Sequence, residues 1–209
     1  MDIVHPKIEE YLLKLTPKRD RVLSEMEALG ESRQFPIVGP LVGRFLYALV
    51  KTARARRILE MGSGFGYSAY WFAMALGPRG KVILTEDSQD NAELARRFLK
   101  RGGLLSRTRI EVGDALQIID RLPGAFDLIF IDVEKEMYPR ALKKAFSRVK
   151  VGGLIVTDNA LWSGRFLEGD REPSTLGIQA FLRDSYRSRR LWTTVLPLRD
   201  GVALSVKLS

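Results

Sequence analysis

The hydrophobic rhythm of this 209-residue chain changes near residue 56. Beyond that point, short apolar runs alternate with longer amphipathic stretches. The densest run is Ala125-Phe126-Asp127-Leu128-Ile129-Phe130-Ile131-Asp132, where one early Asp interrupts apolar residues, as expected of a strand covered on both faces. It predicts a strand over 126–132, and similar runs predict strands at 56–60, 81–86, 108–112 and 153–158. Helices are predicted near 66–77, 90–102, 114–121 and 138–148. In the last, Tyr138, Ala141, Leu142, Ala145, Phe146 and Val149 form one apolar stripe. Such alternation predicts a parallel sheet with right-handed crossovers. The C-terminus differs: 191–197 and 202–208 are strand-like and are joined by Arg199-Asp200-Gly201, a hairpin signal. The expectation is an α/β fold with a seven-stranded, mostly parallel sheet and an antiparallel last strand.

The first part of the chain reads as helical. Ile8, Tyr11, Leu12 and Leu15 recur at helical spacing, and Thr16-Pro17 predicts the cap and first-turn proline of a second helix. Residues 36–51 predict a third, with Pro40 early in it. Residues 1–52 are therefore expected to form a helical cover over the sheet, and a self-association surface, within one domain spanning 1–209.

Composition narrows the chemistry. The chain is 45% hydrophobic, enough to bury a full core, and has no cysteine, which excludes disulfides, zinc-thiolate sites and cysteine nucleophiles. The opening Met-Asp-Ile-Val-His-Pro-Lys is too polar for a signal peptide, and no apolar run approaches spanning length, so a soluble, cytoplasmic protein without a membrane partner is expected. The net charge of +9 raises RNA as a partner. The basic residues are spread out, however, and groups such as Arg96, Arg97, Lys100 and Arg101 fall on polar helix faces, where a solvated surface is the simpler reading. His5, the one histidine, lies in the N-terminal segment and reads as a surface residue.

Candidate chemistry gathers at strand ends. Asp132 closes the densest run, with Lys135 three residues on, while Leu154-Ile155-Val156 ends in Thr157-Asp158-Asn159. Carboxylates at such ends lie where open α/β sheets bind ligands, although a lone Asp132 could equally cap the next helix. Glu60-Met61-Gly62-Ser63-Gly64-Phe65-Gly66-Tyr67-Ser68 follows the first strand, and its glycines allow a tight turn that brings backbone N–H groups close to a ligand. Glu86 ends the second strand 20 residues after Gly66, placed to accept hydrogen bonds from ribose hydroxyls. Gly113-Asp114-Ala115 follows the third, where Asp114 can meet an adenine amino group, act as a helix N-cap, or both. Together these point to an adenosine-containing cofactor without saying which.

The same segments resemble the cation-dependent, S-adenosylmethionine-dependent O-methyltransferases, the group containing the catechol and caffeoyl-CoA enzymes. The resemblance rests on the glycine loop, Gly113-Asp114-Ala115, Asp132 to Lys135, Asp158-Asn159-Ala160-Leu161-Trp162-Ser163-Gly164, and the closing Asp200-Gly201, and covers residues 34 to 209. It implies a Rossmann-like class I methyltransferase fold. It also implies S-adenosylmethionine held by Glu60, Gly62, Ser63, Gly64, Gly66, Tyr67, Ser68, Glu86, Asp114, Ala115 and Asp132. Asp132, Asp158 and Asn159 would hold a divalent cation, Lys135 would be the general base beside substrate, and dimeric relatives imply a homodimer. Three oxygen donors without histidine or cysteine suit Mg²⁺ or Ca²⁺. Lys135 can take a proton only when neutral, which a neighbouring cation favours; pairing with Glu134 or Glu136 is the plainer alternative. Residues 160–175 are expected to form a mobile lid with Trp162 as an apolar wall for a flat substrate, or with Trp162 simply packed in the core. Val133 and Glu134 depart from the plant members' Asp-Ala-Asp-Lys, and Ala203 stands where the catechol enzyme has a substrate-contacting Glu, which points away from catechol itself. The leading expectation is methyl transfer to a hydroxyl of a vicinal dihydroxy aromatic. Alternatives are the same chemistry on a tRNA hydroxyuridine, a non-catalytic nucleotide-binding protein, or an NAD enzyme.

Overall fold

The structure, a computed structural model, describes residues 2–209. Seven strands form one sheet: β1 (Arg57–Met61), β2 (Lys81–Glu86), β3 (Thr108–Val112), β4 (Phe126–Ile131), β5 (Val149–Thr157), β6 (Leu191–Leu196) and β7 (Val202–Lys207). Their order is β3-β2-β1-β4-β5-β7-β6, parallel from β3 to β5, with β7 antiparallel to both β5 and β6. The chain turns back on itself between β1 and β4, the switch point where such sheets leave a crevice at their carboxyl ends.

Burial follows from the strand period of two. Along β4, Leu128 and Phe130 face one side while Ile129 and Ile131 face the other, and each side carries its own core. The first is covered by α2 (Arg21–Ser32), α3 (Gly39–Thr52), α4 (Tyr67–Ala75) and α5 (Gln89–Arg101); the second by α6 (Ala115–Arg121), α7 (Tyr138–Arg148) and α8 (Pro173–Arg187). Almost every residue of α4 is buried, because α3 presses on it from outside. The approach needs Gly43, where a Cβ would run into the indole of Trp71.

Two boundaries differ from expectation for visible reasons. Helix α2 starts at Arg21, capped by Asp20, whose carboxylate accepts from Leu23 N at 2.9 Å. Thr16 instead closes α1 (Pro6–Leu15), its hydroxyl donating to Leu13 O at 2.8 Å. Strand β5 begins at Val149 rather than 153, because a register irregularity opposite Phe126 and Leu128 carries it through Gly152 and Gly153. Helix α1 buries nothing: Ile8, Tyr11, Leu12 and Leu15 are exposed rather than laid on the sheet. Among the described residues no helix is long and apolar enough to cross a membrane.

Candidate active site

A cleft of about 1160 Å³ opens over the carboxyl ends of β1, β2, β4 and β5. Its floor is the turn after β1. Gly62, Gly64 and Gly66 have φ of 80°, 51° and 84°, left-handed values that glycine adopts without strain. The close fit is also steric: a Cβ on Gly62 would collide with the backbone of Asp132, and one on Gly64 would lie 2.7 Å from the Phe35 ring. Gly62, Ser63, Gly64, Tyr67 and Ser68 line the cleft, whereas Gly66 stands behind it as the N-cap of α4, against Ala95. The Tyr67 hydroxyl points away, donating to Glu27 Oε1 on α2 at 2.7 Å.

Glu60 lies beneath the loop and is fully buried. Burial, more than any neighbour, pushes its carboxyl up to about 8; Ser68 Oγ opposes this by donating to Oε1, while the charges of Asp132 and Glu86 add to it. Its other oxygen, Oε2, has no partner, which leaves one buried acceptor beneath the glycine loop unsatisfied. Glu86 ends β2 at the wall, its carboxyl raised chiefly by burial, with Ser88 N and Asn91 Nδ2 both donating to Oε1 at 3.2 Å. Asp114 caps α6 through Leu116 N at 2.8 Å, and with Ala115 it also lines the cleft.

The other wall is built by strand register. Ile131 pairs with Thr157, so Asp132 and Asp158 are the next residues of two adjacent parallel strands. Asp158 is 3% exposed, and its carboxyl is raised by burial and then by the negative charge of Asp132. Asp132 does not cap a helix. Its Oδ1 accepts from Lys135 Nζ at 2.8 Å, so Lys135 pairs with neither Glu134 nor Glu136. The ammonium also sits 5.2 Å from the Tyr138 ring centroid and 5.9 Å from that of Trp162. Helix α8 fixes this turn from behind, since a Cβ on Gly177 would strike the Lys135 carbonyl.

Asn159 takes φ 51°, a left-handed conformation that Asn tolerates better than most residues. Its Nδ2 donates to Asp200 Oδ2 at 3.4 Å. Trp162 lines the cleft and also packs on the second core. Its Nε1 donates to Thr175 Oγ1 at 3.0 Å, Thr175 donates to Asp170 at 2.8 Å, and Asp170 pairs with Arg165 at 2.6 Å. The 160–175 segment is thus tied together by its own polar groups, with a left-handed kink at Ser163 and Gly164. His5 is exposed, capping α1 through Lys7 N.

Sequence reading missed two groups. Asp200, read there only as a hairpin residue, turns into the cleft and accepts from Ser163 N and Oγ as well as from Asn159. Pro36, Ile37 and Val38, read as the start of the third helix, precede it instead and with Phe35 form a wall of the cleft. The Asp-Gly signal located the first; nothing in the local pattern marks the second. Among the described residues no group of three or more His, Cys, Asp or Glu is gathered as for a metal, so a cation here would rest on two carboxylates and an amide.

Comparison with known proteins is consistent across the chain. The family model described as O-methyltransferase matches residues 18–208. The catechol O-methyltransferase of Niastella koreensis is 33% identical over 90% of each chain. Caffeoyl-CoA O-methyltransferase 3 of Nicotiana tabacum is 28% identical over 96% of this chain and 90% of its own. The O-methyltransferase of Bacillus cereus, solved in complex with S-adenosylhomocysteine, superposes with a TM-score of 0.88 at 29% identity over 96% and 97% of the two chains.

Proposed function

Because the chain belongs to the O-methyltransferase family, we propose that it moves the methyl group of S-adenosylmethionine to one hydroxyl of a vicinal dihydroxy aromatic, in a reaction that depends on a divalent cation. The observation that carries this reading is the pairing of Asp132 and Asp158 at neighbouring strand ends, with Lys135 on the first and Asn159 after the second. Two like charges beside each other, one of them buried, call for a counter-charge. Two carboxylates and an amide suit a hard cation, and Asp132, Asp158 and Asn159 would hold it.

The residues also fit the methyl donor. Glu60, fully buried beneath the glycine loop, keeps one oxygen unpartnered, Ser68 bonds its other oxygen from the cleft, and Glu86 and Asp114 line the cleft further along. Bound here, S-adenosylmethionine supplies a methyl on a positively charged sulfur and the cation favours the ionised form of the acceptor hydroxyl. The protein's own part is positional and acid–base. Trp162, at the cleft wall, would bear on a flat ring, and the cleft walls would orient the acceptor. Lys135 Nζ takes the hydroxyl proton. With Asp132 engaged as a cation ligand, Lys135 would no longer be paired there, which would leave its amine to serve as the base.

Donor binding is tested by Glu86→Ala. Losing the acceptor for two ribose hydroxyls should weaken S-adenosylmethionine binding by about 1–3 kcal/mol, read by calorimetry; unchanged affinity would remove Glu86 from the donor site. The reaction itself is tested with methyl-labelled S-adenosylmethionine, offered matched diphenols and monophenols. Label should enter only those with adjacent hydroxyls, and equal labelling of monophenols would contradict a two-oxygen acceptor.

A further inference from the structure

Of the described residues that line the cleft, only Lys135 and Arg199 are cationic. Lys135 is committed to Asp132. Arg199 makes no ion pair with a carboxylate among the described residues. It sits at the tip of the β6–β7 hairpin with φ 54°, held there by Gly201 N donating to Leu198 O across the turn. One arm of its guanidinium is fixed, since Nη1 donates to the carbonyl of Ile37, and the group lies over Gly39 at 3.9 Å from where a Cβ would stand. That single bond uses one of five N–H donors and leaves four for another acceptor. The neighbouring Asp200 is engaged by Ser163 and Asn159. Arg199 therefore brings an ion-pair-free positive charge to the cleft, at the edge it shares with the groove lined by Gln34 and Pro40.

The cleft gathers polar and apolar groups. Asp158, Asn159, Lys135 and Arg199 all line it, together with the apolar side chains of Phe35, Ile37 and Trp162. We propose that Arg199 is a specificity-determining residue, and that the acceptor bears a carboxylate, on the ring or a short side chain, which the guanidinium receives while the vicinal hydroxyls meet Asp158 and Asn159. The inference rests on the methyltransferase reading and narrows its substrate class. A planar carboxylate matches the guanidinium fork, whereas a neutral ring substituent leaves those donors to water.

The test is calorimetric binding of 3,4-dihydroxybenzoate and 3,4-dihydroxybenzamide to protein saturated with S-adenosylhomocysteine and Mg²⁺. The wild type should prefer the acid by about tenfold or more, as charge-assisted hydrogen bonds require. In Arg199→Met the preference should fall to about one, and Arg199→Lys should keep only part of it, because an ammonium lacks the planar fork. Equal wild-type affinity for acid and amide overturns the proposal, and that comparison decides whether or not Arg199→Met folds. A preference that survives in folded Arg199→Met overturns it too. Turnover of both compounds with no preference for the acid would sink the anion site alone. Arg199-dependent binding of the acid without methyl transfer would instead sink the methyltransferase reading and keep the anion site.

Discussion

Lys135→Ala should bind S-adenosylmethionine and the cation as the wild type does, yet turn over about 10²–10⁴-fold more slowly, the usual range for a lost general base. The geometry supports a specific role. Lys135 Nζ is 2.8 Å from Asp132 Oδ1, is flanked by the Tyr138 and Trp162 rings, and its side chain is 15% exposed. A residue present only to balance charge would not need this enclosure. The deficit should shrink for acceptors whose hydroxyl is already acidic, because less help is then needed to ionise it. Lys135→Arg should not restore the rate, since a guanidinium stays protonated at any working pH. Near wild-type turnover in the Arg variant would show that the position needs only positive charge.

Asp158→Ala should lose cation affinity by more than about 100-fold, because even partners that merely orient a ligand are worth 10–100-fold. The fold should survive. Asp158 is a buried carboxyl held above its ordinary range by burial and by Asp132, so its ionisation opposes folding. The sign follows from linkage: a carboxyl with a raised folded pKa favours the native state below its unfolded value, and that advantage fades as pH climbs toward the folded one. At pH 8 and without a cation, the variant should therefore melt no lower than the wild type. Adding Mg²⁺ at 100 times its dissociation constant should stabilise the wild type by about 2.7 kcal/mol and leave the variant unmoved. Equal Mg²⁺-induced shifts in both would place the cation elsewhere.

Much of this was readable from local pattern, for definite reasons. Strand β4 announces itself because both of its faces are buried, and Asp132 stands out because polarity returns abruptly at its end. The glycine loop is visible because left-handed backbone and close packing on Asp132 both demand glycine. Partners brought in from afar are not visible this way. Lys135 chooses Asp132 over Glu134 and Glu136 because the turn after β4 folds it back onto the strand end. Arg199 reaches Ile37 across 162 residues, so neither the wall nor its charge has a local signature. The start of α2 was misplaced because Thr16-Pro17 carries a good capping signature, while Asp20 has both a capping carboxylate and a Tyr70 hydroxyl to hold it. Tertiary contact decided between two plausible starts.

The central claim is cation-dependent methyl transfer to a phenolic oxygen. Its most direct test follows labelled methyl from S-adenosylmethionine into 3,4-dihydroxybenzoate, first as purified, then in excess EDTA, then with Mg²⁺ restored above the chelator. Label should enter one oxygen, stop in EDTA and resume with Mg²⁺. Full turnover in EDTA would contradict the account and leave Asp158 and Asn159 as no more than the end of a strand.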